Sequence, residues 1–504
     1  MSTSATGPVV AIGSGRIAGS LAQGVRRFLG VPYAAPPVGG RRFALPQPYP
    51  AWDGVRDATR MGPVAPQPVP SAEEMEKLLP GLDIAPLVGD GSKQGDDFLL
   101  ANIWAPQEGS GHPVLVFIHG GAFTGGCGSA DVYDGSAFAR RGVVCVTINY
   151  RLGVEGFLPI PGVPTNLGLR DQIAALQWVR DNIAAFGGDS ANVTVSGESA
   201  GAMSLANLVV SPLAQGLFRR AIVQSGHGSM VRPVAVAQNL VARLAKELGI
   251  SADAEGFRGA TSADCLAAQA KVSQPRARVK LKGPDGREPA YGLSRFLPVY
   301  GDDVLPRHPL EALRQGAGAD IDLLIGTNRE EMNLYFVPSG VRRTIGRILA
   351  FIAVRAVEPA AWPILRAYGL LRRDRKPGVA FTEALTDCVF CLPARRFAQA
   401  HQGRTHFYEF GWRSRAYGGE LGACHGLELP FVFDTLRTVA GPRGLAGEDP
   451  PQALADHMNA LWADYCATGA LPWPEYEAER RLVYAPEKDA AERDRDMPAA
   501  ALLP

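Results

Sequence analysis

Asn192-Val193-Thr194-Val195-Ser196-Gly197-Glu198-Ser199-Ala200-Gly201 reads as a strand running into a G-x-S-x-G turn. Its first five residues are short and β-branched, as in a buried strand. From Ala200 to Ser211 small and apolar residues alternate and then stop at Pro212, which predicts a buried helix. A turn joining the two must be tight, because Cβ atoms at Gly197 and Gly201 would meet neighbouring backbone. Ser199 is thereby pushed out at the top of a sheet with a helix N-terminus beneath it, which is where a serine nucleophile sits.

Working outward, Leu99 to Trp104, Val114 to Ile118 and Val143 to Ile148 are apolar runs of strand length. Runs apolar on both faces belong to a sheet covered on both sides. Leu169, Ile173, Leu176, Val179, Ile183 and Phe186 recur every three or four residues and predict one face of a long helix, stopped by Gly187-Gly188. Further strands are expected at Ala221 to Gln224, Ile321 to Gly326 and Thr405 to Phe410. This alternation predicts a doubly wound α/β sheet. Arg27 to Ala34 reads as edge strand, followed by a Pro-rich crossover. Pro63 to Asp97 is a long polar excursion with a short helix at Ser71 to Leu79, of a length that suits a lid or a site wall.

The chain has 504 residues with no low-complexity linker, repeat or long charge block, so one large domain over residues 1–504 is expected. A hydrophobic share of 46% with 20% charged residues suits a soluble globular protein. Net charge is +1, which offers neither a basic footprint for nucleic acid nor a polybasic membrane signal. Met1 to Gly7 lacks the charged and apolar regions of a secretory signal. Ile345 to Leu371 comes nearest to a membrane span, but Arg347, Arg355, Glu358 and Arg366 interrupt it. The basic residues between Ser251 and Pro298 read as a solvated face. Seven scattered cysteines, an odd number, fit a reducing cytoplasm. Cys388 and Cys391 have C-x-x-C spacing within a helical pattern and read as two core thiols, not a metal site.

A serine hydroxyl is too weakly acidic to attack an ester unaided; a His must take its proton and an acid must orient that His. Beyond Ser199, the acid candidates that follow a strand lie at Glu330 and Glu331, after Ile321 to Ile325. Among the later histidines, His401 lies near a helix end, His406 begins a strand and His457 lies within a helical run. His425, in Gly422-Ala423-Cys424-His425-Gly426, stands on a loop and is the candidate base. An oxyanion needs preorganised amide donors. Ala200 supplies one, and the Gly-rich turn His119-Gly120-Gly121-Ala122-Phe123, at the end of Val114–Ile118, supplies the others.

These blocks, with Asn149-Tyr150-Arg151-Leu152-Gly153, Phe186-Gly187-Gly188-Asp189 and Gln224-Ser225-Gly226, resemble the type-B carboxylesterases, the family of the para-nitrobenzyl esterases that also includes the cholinesterases. The likeness runs from Phe28 to Pro474. It implies an α/β-hydrolase fold: a large, mostly parallel central sheet with helices on both faces and insertions forming an active-site gorge. It implies a Ser199–Glu331–His425 triad, choosing Glu331 over Glu330, and oxyanion amides at Gly121, Ala122 and Ala200. Glu198 and Ser225 match positions beside the triad His that tune it. Arg42 with Asp96 and Arg151 with Asp171 match family ion pairs. Relatives close the early loop with a disulfide, but Ala65 and Phe98 stand at those two positions, which is expected to leave the loop free to move. No aromatic residue lies between Ala65 and Asp97 to hold a choline by cation–π attraction.

The expectation is a carboxylic-ester hydrolase working through an acyl-enzyme on small to medium, largely uncharged esters, with no cofactor and no metal, as a monomer or weak homo-oligomer. Carbamates or activated amides are alternative substrates for the same machinery. A non-catalytic, cholinesterase-like binding module is disfavoured, because the nucleophile and its partners are all present.

Overall fold

A computed structural model describes residues 7–274, 276–477 and 479–503; the expectation about Met1 to Thr6 lies outside them. The architecture follows from its largest sheet. That sheet has eleven strands: β1 (Ser20–Ala22), β2 (Val25–Pro32), β3 (Leu100–Pro106), β4 (His112–Ile118), β5 (Val144–Ile148), β6 (Gly188–Glu198), β7 (Arg220–Gln224), β8 (Asp322–Asn328), β9 (Thr405–Phe410), β10 (Leu482–Ala485) and β11 (Ala490–Arg493). Their order across the sheet is β11-β10-β9-β8-β7-β6-β4-β5-β3-β2-β1. Neighbours from β5 through β4, β6, β7, β8 and β9 to β10 run parallel. The remaining pairings, at the two ends, are antiparallel. The mostly parallel sheet expected from the apolar runs is therefore present.

Alternation along a strand explains why both faces are covered. In β4, Val114, Val116 and Ile118 join one buried cluster, while Leu115 and Phe117 join the other. The long helix is observed as Leu167–Asn182, ending earlier than its periodicity suggests and tightening into a 3-10 turn, Ile183–Phe186. All six of its predicted core positions are buried. The strand and helix around Ser199 are observed as Gly188–Glu198 and Ala200–Val210.

Cys388 and Cys391 lie in a π-helical turn, Asp387–Cys391, and all seven cysteines are free and buried. Among the described residues no helix is long and apolar enough to cross a membrane.

Arg151 and Asp171 form a buried ion pair: Nε to Oδ2 is 2.8 Å and Nη2 to Oδ1 is 2.6 Å. The Asp171 carboxylate also accepts from the Arg151 amide, fastening the turn after β5 to the long helix. The Arg42 expectation needs correction. Its partner is Glu155, at 2.9 Å, brought alongside by the short helix Gly153–Phe157. The acid at the end of the early loop that does pair is Asp97, with Arg56.

The early loop also departs from the freedom expected of it. Val64 and Gln94 form a bridge, the Gln94 side-chain amide donates to the Gln67 carbonyl, and the Gln67 amide reaches the carbonyl of Gly126. Further along, Asp83 N–H donates to the Arg443 carbonyl, Arg443 pairs with Glu76, and Tyr417 Oη donates to the Pro80 carbonyl. Hydrogen bonds thus tie down the loop whose family disulfide is missing.

Removing one partner of a buried ion pair strands an uncompensated charge. Asp171→Ala is expected to lower the unfolding free energy by roughly 3–5 kcal/mol, read as a shifted denaturant midpoint at unchanged m. A loss below about 1 kcal/mol would mean that Arg151 finds another partner.

Candidate active site

The C-terminal ends of the parallel strands meet along one edge of the sheet, where α/β proteins build their sites. Ile118 lies beside Gly197, Glu198 beside Gln224, and Gln224 beside Gly326. The segments leaving these ends carry the oxyanion turn, Ser199, Ser225 and Glu331; His425 comes from the loop after β9.

Ser199 has φ 54° and ψ −123°, a strained turn that flips the chain from strand to helix. A Cβ at Gly201 would lie 2.0 Å from the Ile118 carbonyl oxygen, and one at Gly197 would lie 2.6 Å from the Gly201 carbonyl. Only glycine permits this packing. Ser199 N–H donates to the Gln224 carbonyl, and its own carbonyl accepts from Met203 to begin the helix.

His425 Nε2 lies 2.8 Å from Ser199 Oγ, and Nδ1 lies 2.6 Å from Glu331 Oε2. With Nδ1–H donated to Glu331, Nε2 is left to accept the serine proton. The other Glu331 oxygen accepts from Asn328 N–H at 2.8 Å. Glu330 faces elsewhere, accepting from Ala423 N–H and pairing with Arg413.

The amides of Gly121, Ala122 and Ala200 donate to no protein acceptor among the described residues. Gly121 has φ 114° and a Cβ there would sit 2.1 Å from the Gly125 carbonyl oxygen, while Ala122 and Phe123 are both left-handed, at 55° and 64°. Such a turn is held by its surroundings. The Gly121 carbonyl accepts from Thr124 and Gly125, the Ala122 carbonyl from Ser294 Oγ, and Tyr150 Oη donates to His119.

Glu198 is buried with Oε1 3.1 Å from His425 Nε2, so a second carboxylate meets the nitrogen that faces Ser199 Oγ. Ser225 does not join it. This turn residue has φ 53° and gives its amide to Gly326, while its buried hydroxyl has no partner among the described residues. Of the two expected tuning residues, only Glu198 touches the imidazole.

Sequence reasoning missed Glu428. This fully buried carboxylate accepts from Asn328 Nδ2 at 2.6 Å and Gln224 Nε2 at 3.3 Å, and Asn328 also donates to the Cys424 carbonyl. An acid inside the apolar run Leu427 to Phe433 was the available signal. Phe390 and Tyr335 flank His425, with ring centroids at 4.7 and 5.9 Å. The early loop reaches the same place: Leu87 Cδ2 lies 3.1 Å from the Cβ direction of Gly426. Among the described residues no group of three or more His, Cys, Asp or Glu is set to hold a metal ion.

Burial alone would lower the pKa of His425, but the carboxylates of Glu198, Glu331 and Glu428 outweigh it and hold the group up at about 9. Burial pushes Glu198 up to about 8, with His425 opposing, and pushes Glu428 up to about 7.

The Carboxylesterase family model matches residues 6–495. The chain belongs to that family. It is 35% identical to the para-nitrobenzyl esterase of Bacillus subtilis over 492 residues, covering 94% of each chain. It is 33% identical to a phenmedipham hydrolase of Pseudarthrobacter oxydans, covering 98% of this chain and 97% of that one. Among solved structures, a Geobacillus stearothermophilus carboxylesterase superposes with a TM-score of 0.79 at 36% identity, covering 95% of both chains. A PNB esterase superposes at 0.82 and 33%, covering 99% of this chain and all of that one. The α/β-hydrolase fold and a serine carboxylesterase activity come with the family.

A general base must be neutral, and a raised His pKa keeps it protonated to higher pH. The acid limb of kcat/KM is therefore expected above the ordinary histidine value of about 6.5. Glu198→Gln removes a charge that favours imidazolium, so the limb should move to lower pH. The plateau rate should fall roughly tenfold or more with the loss of a charge-assisted contact. A limb that stays in place, read from pH profiles of p-nitrophenyl acetate hydrolysis, would detach Glu198 from the base.

Proposed function

We propose that Ser199, His425 and Glu331 carry the hydrolysis of small to medium, largely uncharged carboxylic esters through an acyl-enzyme. Ser199 Oγ attacks the ester carbonyl as its proton passes to His425 Nε2, and Glu331 stabilises the imidazolium through Nδ1–H. Glu198, facing the same Nε2, adds to that stabilisation. The developing oxyanion is met by the amides of Gly121, Ala122 and Ala200. His425 then protonates the departing alcohol, and a water activated by the same nitrogen releases the acid and restores Ser199. The observation that carries the reading is the chain of contacts Ser199 Oγ–His425 Nε2 at 2.8 Å and His425 Nδ1–Glu331 Oε2 at 2.6 Å.

The whole chain acts as one domain in this reading, supported by a single sheet drawn from residues 20 to 493. The seven free thiols support a reducing compartment such as the cytoplasm.

The alcohol side follows from the oxyanion turn. Gly120, Gly121 and Ala122 present mostly backbone, leaving room beside the tetrahedral carbon for a branched alcohol. Valine is a poor probe at Ala122, because a β-branched residue is strained at a φ of 55° whatever the space. The substrate is the better probe. Tert-butyl acetate should be hydrolysed more slowly than n-butyl acetate but above a Ser199→Ala blank, and an organophosphonate should add its mass to the Ser199 peptide alone. Ser199→Ala is expected to lose several orders of magnitude in kcat with an unchanged fold. Labelling at another serine would end the assignment, and absent tert-butyl turnover would end the alcohol argument alone.

A further inference from the structure

The segment from residue 342 to 376 holds nine Arg and Lys against two acids, Glu358 and Asp374, a balance of +7 in a chain whose total is +1. Glu358 is buried and paired with Arg287. On this segment the helix Arg347–Arg355 is apolar on both sides. Ala350 and Val354 are buried inward, while Ile348, Leu349 and Ile352 are 75%, 63% and 56% exposed. Beside them Trp362, on the next helix Ala361–Ala367, and Leu371 are 46% and 48% exposed. These side chains are held together. The Phe351 and Trp362 rings meet edge to face at 5.7 Å, and Arg347 donates to the carbonyls of Leu370 and Arg372, keeping Leu371 beside the start of the helix.

The same segment carries the cations. Arg347, Arg355, Arg366, Arg372, Arg373 and Lys376 are exposed, and of these only Arg372 has an acidic partner, Asp374, among the described residues. Large exposed side chains clustered with unpaired cations and a tryptophan are costly to leave in water unless something covers them. A second copy of the chain fits poorly. A twofold contact would set the cations of one copy against those of the other, and like charges across an interface repel. Nucleic acid would meet the cations but not the apolar centre.

We propose that this face docks on an anionic lipid surface. Ile348, Leu349 and Ile352 would sink into the boundary between headgroups and acyl chains, Trp362 would sit at headgroup level, and the arginines would meet lipid phosphates. The proposal holds whichever ester the enzyme cleaves, and its readout is binding, not turnover.

The test is co-sedimentation of the full-length enzyme with vesicles of phosphatidylcholine alone and of phosphatidylcholine with about one-third phosphatidylglycerol. The wild type should bind the anionic vesicles, lose that binding in high salt, and bind the neutral ones far less. Arg355→Glu/Arg366→Glu should weaken binding roughly tenfold or more. Ile348→Ser/Ile352→Ser should weaken it roughly a hundredfold. Unchanged p-nitrophenyl acetate hydrolysis in solution shows that each variant is folded, and the charge variant stands alone if the apolar one fails to fold. Absent binding to anionic vesicles, equal binding to both kinds, or binding that neither variant weakens overturns the proposal. A concentration-dependent dimer in sedimentation velocity, lost in Ile348→Ser/Ile352→Ser without any vesicle binding, overturns it in favour of a second copy.

Discussion

Contact between the Gly201 Cα and the Ile118 carbonyl sets the geometry of the whole site. It allows the helix that starts at Ala200 to lie directly over the end of β4, so the Gly121–Ala122 turn and the Ala200 amide emerge from adjacent strands. Since Ile118 pairs with Gly197 in register, the spacing between the glycine-rich turn and Ser199 is set by the sheet. Ser199 holds an unfavourable backbone conformation, worth about 1–3 kcal/mol, because hydrogen bonds on both sides of it fix the turn. Strain at Ser199 is thus balanced by the hydrogen-bonded strands on either side of it.

Around that frame the electrostatics are set by competition between burial and donor supply. Glu331 and Glu428 each receive donors from β8 or β7, through the Asn328 amide, the Asn328 side chain and Gln224. Among the described residues Glu198 Oε1 has no hydrogen-bond donor besides the imidazole it faces. Burial raises the pKa of Glu198, and the neighbouring His425 opposes that rise.

The strands, the elbow and the long helix were legible because their signals are local: apolar runs, a two-glycine turn, a three-to-four repeat. Long-range pairing was not. Glu330 and Glu331 are chain neighbours that residue order could not separate; in the folded turn they diverge, one to Arg413 and the other to His425. Glu428 takes its partners from 100 and 204 residues away, so the acid in its apolar run marks a buried charge without naming what it bonds. Arg42 shows the same limit, since its carboxylate comes from a helix over a hundred residues on. The missing disulfide was visible at Ala65 and Phe98, but the Gln67–Gln94 clasp that does its work was not.

Averages conceal as much as distance does. A net charge of +1 argues against a polybasic surface only if charge is evenly spread, and residues 342–376 show that it is not. That segment belongs to the insertion between β8 and β9, which also carries Phe390 to within 4.7 Å of His425. The helix Pro377–Thr386 runs directly into the π-helical turn that bears Phe390, and Phe381 on it packs against Phe336. One insertion therefore has an inner surface built against the His425 imidazole and an outer surface whose apolar residues the core does not use. Its inward packing accounts for Ala350 and Val354 but not for Ile348, Leu349 and Ile352, so the composition of this helix answers to two environments at once.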